Sequence, residues 1–215
     1  MNDNFRHKGL RSQLINQLRQ KGITDENVLR VMNKIPRHLF FDKVFHDKFA
    51  YDDVAFPIGA GQTISQPYTV AFQSSLLKIA KRDKILEIGT GCGYQTAVLC
   101  ELEARVFTIE RQLLLFKQTN HLLDQMGYRA KTYFGDGFEG KKVFAPYDGI
   151  IVTCGAPFVP EKLKYQLKVN GRMVIPVGEG DTQQMKLIVR LCEDDFSEKD
   201  CGDFSFVPML KDKSK

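Results

Sequence analysis

The 215-residue chain is 43% hydrophobic and 27% charged, the balance of a globular protein of ordinary domain length with enough chain to bury a core. Five cysteines without a C-x-x-C pair argue against a disulfide framework, and four histidines in no H-E-x-x-H-type spacing argue against metal chemistry. The net charge of +5 would permit a polyanionic partner, but outside the terminal KDKSK the basic residues are scattered, so a solvated surface is expected rather than a nucleic-acid face.

The opening MNDNFRHKGL lacks the apolar core of a signal peptide, and no segment approaches a membrane span, so a cytoplasmic protein with no membrane partner is expected. KGLRSQLINQLRQ carries Leu10, Leu14, Ile15 and Leu18 at helical spacing and is closed by Gly22. TDENVLRVMNKI starts at a Thr24 or Asp25 cap and stops before Pro36. The aromatic stretch HLFFDKVFHDKFAY suits a core or a lid; Phe40, Phe41, Phe45 and Tyr51 are assigned to core. The polar stretch GAGQTISQP then precedes the apolar helix pattern YTVAFQSSLLKIA.

From residue 84 the pattern alternates. KILEIG, ARVFTIE, AKTYFGD, YDGIIVT and GRMVIPVG predict strands; YQTAVLCELE, RQLLLFKQTNHLLDQMG and PEKLKYQL predict helices between them. QMKLIVRLCE and DFSFVPML look like closing strands with no helix separating them. The expectation is a doubly wound α/β fold, a mostly parallel sheet behind a helical N-terminal extension, with an antiparallel C-terminal edge.

The loop EIGTGCGYQ places Gly89, Gly91 and Gly93 where the backbone can turn tightly and approach a ligand. Glu110 ends the next strand, where a carboxylate can accept ribose hydroxyls, and Asp136 in GDG ends the third, placed to meet an adenine amine. All three features fall at carboxyl ends of neighbouring strands, which points to an adenosine-containing ligand. The spacing is G-x-G-x-G rather than G-x-G-x-x-G, and a carboxylate at Glu87 would repel a pyrophosphate. It suits the amino group and sulfonium of S-adenosylmethionine; NAD is the alternative.

The segments RHKGLRSQLINQLRQKGITDENVLRVMNKIPRHLFF, AYDDVAFPIGAGQTISQPYTVA, ILEIGTGCGYQTAVL, GDGFEG, APYDGIIVTCGAPFVP and GRMVIPVG resemble, in order, the protein-L-isoaspartate O-methyltransferase family from Arg6 to Leu210. GQTISQP is far more specific than the glycine loop. The resemblance implies a Rossmann-like methyltransferase that uses S-adenosyl-L-methionine to methylate the α-carboxylate of L-isoaspartyl residues in damaged proteins and peptides, working as a cytoplasmic monomer. It implies one domain over 1–215, with 1–80 as helical extension and substrate loop and 81–210 as the cofactor-binding core. It assigns Ser65 as the active-site residue and Thr63, Ile64, Glu87, Gly89, Gly91, Gly93, Glu110, Asp136 and Gly137 to the cofactor pocket. Three departures stand out: Cys92 where serine is common, Cys154-Gly155 after the fourth strand, and Ser205 where many bacterial relatives carry arginine.

Methyl transfer to an ionised carboxylate needs no general base, so alignment and a dry site are what such a loop must supply. Ser65 suits that task; it also stands where a helix N-cap would, before Pro67. Cys92 is expected to be a small packed residue, open to thiol reagents when the cofactor is absent. A nucleic-acid N-methyltransferase would carry an Asn/Asp-Pro-Pro-aromatic step where this chain has TCGAPF. A catalytically silent binding module is a further alternative, since a fold does not set a function.

Overall fold

In the computed structural model, residues 3–40 and 49–214 are described. Helix α1 (Phe5–Gln20) begins at Phe5 because the Asn4 side chain accepts from His7 N and caps it. Helix α2 (Glu26–Lys34) is capped by Asp25, whose Oδ1 accepts from Asn27 N and Val28 N at 3.1 Å, and ends at Ile35 before Pro36. Leu14, Leu18, Leu29 and Met32 bury the inner faces of these helices against Val70 of α3 (Pro67–Leu77) and Val98 of α4 (Tyr94–Glu101). Phe40 and Tyr51 are buried there as well; Phe41 and Phe45 lie outside the described residues.

The polar stretch before α3 is a hairpin. Strand β1 (Phe56–Gly59) pairs antiparallel with β2 (Gln62–Ile64), and the chain reverses through Gly59, Ala60 and Gly61 at φ of 93°, 50° and 66°. Three successive left-handed residues explain why two of the three are glycine.

Seven strands form the main sheet in the order β5-β4-β3-β6-β7-β8-β9. They are β3 (Lys84–Ile88), β4 (Arg105–Glu110), β5 (Lys131–Phe134), β6 (Tyr147–Val152), β7 (Leu167–Val177), β8 (Gln183–Arg190) and β9 (Phe196–Phe204). The first five are parallel to one another; β8 and β9 are antiparallel. Helix α5 (Leu113–Gln125) and the short α6 (Glu161–Lys164) complete the crossovers. Both faces are covered, so the central strands read as continuous apolar runs. Leu86 and Ile88 pack on one face with Phe107, Ile150 and Leu163, whereas Ile85 packs on the other with Leu77 and Leu99. Chain order reverses between β3 and β6, and open α/β sheets bind ligands at that switch point.

Two elements differ from their sequence patterns. α6 is one turn because β7 starts at Leu167, with Gly171 bending it where a β-carbon would lie 2.8 Å from Lys168 O and 3.0 Å from Tyr147 O. The last strand is FSEKDCGDF, ending at Phe204, and residues 205–210 instead cross the carboxyl end of the sheet. An edge strand facing water needs no apolar alternation, so its charged pattern hid it.

Candidate active site

A cleft opens at the switch point of the sheet. One wall is the loop after β3, with Gly89, Gly91 and Cys92; a second is Gln62–Ser65; a third is Glu110 with Gly137; Val207–Leu210 lies across it. The structure thus brings together Thr63, Ile64, Ser65, Gly89, Gly91, Glu110 and Gly137. At Gly89 (φ 94°) a β-carbon would stand 2.5 Å from Thr153 Oγ1, so the loop can lie this close to β6 only as glycine. Glu110 is almost fully buried; its Oε2 accepts from Gly91 N and its Oε1 from Gln112 N, each at 2.8 Å. The carboxylate therefore ties the glycine loop to its own strand end and retains lone pairs for a ligand.

Three expected cofactor residues do not line the cleft. Glu87 is fully buried because it follows Ile85 by two positions and so points to the α4 face, where Thr96 Oγ1 donates to its Oε2 at 2.6 Å. Gly93 begins α4, and a β-carbon there would meet Thr119 Cγ2 at 2.8 Å: it permits close helix packing. Asp136 uses Oδ1 to cap the turn at Phe138 N (2.8 Å) and Oδ2 to hold Asp212 N (3.0 Å). Its carboxylate anchors the C-terminal tail, and its neighbour Gly137 forms the wall.

The N-cap role weighed for Ser65 goes elsewhere. Gln66 is the cap residue of α3 and makes no side-chain cap bond; the Tyr68 amide is taken by Asp53 Oδ1 at 2.7 Å. Ser65 is held by its carbonyl, which accepts from Arg37 at 3.1 Å. Arg37 is fully buried and also donates to Ala50 O (2.6 Å) and Val54 O (3.2 Å), with its guanidinium 5.5 Å from the centre of the Tyr94 ring. Sequence reasoning missed Arg37, Gln95, Thr153 and the 207–210 tail.

Burial pushes the Glu87 carboxyl up to about 8, aided by Glu110 and opposed by the hydroxyls of Thr96 and Thr108. Burial likewise pushes the thiols of Cys92 and Cys154 up, to about 11 and about 12, so both are neutral near pH 7. This weakens the expectation that Cys92 is open to thiol reagents, because the thiolate is the reactive form. In the folded state Glu87 holds its proton to about pH 8, whereas an unfolded glutamate releases it near 4.5. Native protein then binds more protons across that window, so this group's contribution to stability falls as pH rises through it. Denaturant melts from about pH 5 to 8 should show that slope reduced in Glu87→Gln.

Glu87 Oε1 and Gln95 Oε1, buried just before and just after the glycine loop, have no hydrogen-bond partner among the described residues. Of the two, Gln95 lines the cleft, and an open acceptor there fits a ligand that brings donors, as S-adenosylmethionine does. A pocket of this chemistry at the switch point of a doubly wound sheet is the arrangement of Rossmann-like methyltransferases, and it sets the class.

Similarity narrows the class. The sequence pattern of the protein-L-isoaspartate(D-aspartate) O-methyltransferase family matches residues 9–214. The protein-L-isoaspartate O-methyltransferases of Flavobacterium psychrophilum and Flavobacterium johnsoniae are 58% and 59% identical over 215 residues, the whole of each chain. That of Pseudomonas aeruginosa is 48% identical over 93% of this chain and 95% of its own. A solved protein-L-isoaspartate O-methyltransferase superposes with a TM-score of 0.83 at 27% identity, covering 92% of this chain, which spans 65% of that structure's length. A Plasmodium falciparum structure, described as a putative member in complex with S-adenosyl-L-homocysteine, has the same fold (TM-score 0.82, 22% identity, 94% and 99% covered). The chain belongs to the protein-L-isoaspartate(D-aspartate) O-methyltransferase family. It is an S-adenosylmethionine-dependent methyltransferase that acts on L-isoaspartyl residues, and the NAD and nucleic-acid readings are set aside.

Proposed function

We propose that Thr63, Ile64, Gly89, Gly91, Glu110 and Gly137 bind the cofactor, that Glu87 acts on it from beneath the loop, and that Ser65 holds the isoaspartyl α-carboxylate. Bound S-adenosylmethionine supplies a methyl group on a positively charged sulfur. The carboxylate is already ionised at neutral pH, so the chain has no proton to remove. Its task is to fix that oxygen in line and keep water out. Ser65 lines both this cleft and the adjoining one, which supports reading it as the residue between cofactor and substrate. This shared position carries the proposal. Arg37 holds the Ser65 main chain still, and Val207–Leu210 shields the site. On the same reading residues 1–80 are extension and substrate loop, residues 81–210 are the cofactor core, and one domain spans 1–215. The protein works as a cytoplasmic monomer, a point that rests on the resemblance alone.

The product is a methyl ester whose neighbouring backbone nitrogen can displace methanol, closing a succinimide that hydrolyses partly to normal aspartyl peptide. The test labels matched isoaspartyl and aspartyl peptides from methyl-labelled cofactor and then raises the pH. Volatile label from the isoaspartyl peptide alone is expected; label that survives mild base overturns the reaction. Ser65→Ala in the same assay should lose about 100-fold in turnover, the scale of one removed transition-state donor, with unchanged cofactor affinity. Because Asp53 supplies the cap, its melting midpoint should stay near wild type.

A further inference from the structure

The second cleft opens off the first through shared Thr63, Ser65, Thr153 and Val207, so whatever fills it lies beside the methyl-accepting carboxylate. One side is a stack of three rings: Phe72 and Phe204 lie 5.1 Å apart, and Tyr68 is 5.9 Å from Phe72 and 6.3 Å from Phe204 at 12°. The rim is the end of edge strand β9, where Asp203 is exposed, and Thr182 of the β7–β8 turn, whose neighbours Glu179 and Asp181 are also exposed. No lysine or arginine is among the described lining residues. Nor does any described cation come within ion-pair distance of Asp203, Asp181 or Glu179. Ser205 adds no charge.

We infer that Asp203 is a specificity-determining residue that selects isoaspartyl segments with a lysine or arginine flanking the damaged residue. This rests on the isoaspartyl reading above and goes beyond it. The Asp203 carboxylate on the groove, free of any described ion pair and with no lysine or arginine on the lining to offset it, attracts a cation and repels a carboxylate over roughly a Debye length. The exposed face of the ring stack adds a surface on which a guanidinium or ammonium can lie.

The experiment uses three isoaspartyl peptides, identical except for Lys, Gln or Glu flanking the isoaspartyl residue, with wild type, Asp203→Asn and Asp203→Lys. KM should rise from Lys to Gln to Glu, spanning about tenfold in wild type with kcat little changed, and the span should contract as salt is added. It should narrow in Asp203→Asn and reverse in Asp203→Lys. Asp203 is exposed, so these variants should melt as wild type does. Equal KM values for the three peptides with wild type, or an unchanged order in Asp203→Lys, would overturn the inference. Failure to methylate any of the three would instead bring down the isoaspartyl reading, and this inference with it.

Discussion

Glu110→Ala should weaken S-adenosylmethionine binding by about 2–4 kcal/mol, the scale of losing charge-assisted hydrogen bonds in a buried site. Two effects of one carboxylate combine there. The ligand loses an acceptor on the cleft wall, and Gly91 N loses the 2.8 Å bond that holds the glycine loop against β4. Glu110→Gln separates them: an amide oxygen can still accept from one backbone N–H, yet it brings no negative charge and adds donors that face donors. The amide variant should therefore keep one of the two backbone bonds, melt below wild type but above Glu110→Ala, and still bind weakly. Calorimetric titration of both variants, beside their denaturant melts, checks this. A folded Glu110→Ala that binds the cofactor as wild type does would remove Glu110 from the site.

Arg37→Met should destabilise by about 1–3 kcal/mol for each buried acceptor it leaves without a donor. The guanidinium satisfies the carbonyls of Ala50 and Val54 in one loop and of Ser65 in the next, and methionine would leave the buried Ala50 carbonyl and the part-buried other two without that donor. Burial lowers the pKa of Arg37, but arginine's intrinsic basicity keeps it charged. Arg37→Lys should recover only part of the loss, because a single ammonium cannot reproduce a planar fork across three acceptors. The functional signature lies in Arg37→Lys: turnover should fall more than cofactor affinity, since the Ser65 carbonyl loses its support while the Glu110 wall does not. Urea melts and initial rates on one preparation measure both. A Met variant as stable as wild type would show that those carbonyls find other partners.

Much of the doubly wound core was legible because burial on both faces leaves a direct mark. KILEI and YDGIIV are mostly apolar, with Ile85, Leu86, Ile88, Ile150, Ile151 and Val152 all buried, and the glycines after the first announce the turn. At Glu87 the position before the loop told less than the alternation of the strand. Its place before the loop suggested a cleft wall, but the period of two along β3 turns it to the face of Ile85, into the protein. Asp136 is a different case. Its position at a strand end was read correctly, yet the tail returning from residue 212 occupies its second oxygen.

The sequence by itself determined the order of elements from β3 to β7, the stop of the first helix at Gly22, the start of the second at Thr24 or Asp25 and the family, because these rest on local periodicity, local hydrogen bonding or long matching stretches. Only the tertiary structure decided the β1–β2 hairpin, the charged edge strand β9 and the tail across the cleft. It alone assigned the cap of α3 to Asp53 and the support of Ser65 to Arg37. Each of these joins groups far apart in the chain: Arg37 is 28 residues from Ser65 and Asp53 is 15 from Tyr68. A buried arginine tied to backbone carbonyls has the same one-letter appearance as a solvated one, and an exposed edge strand has no apolar face to reveal it.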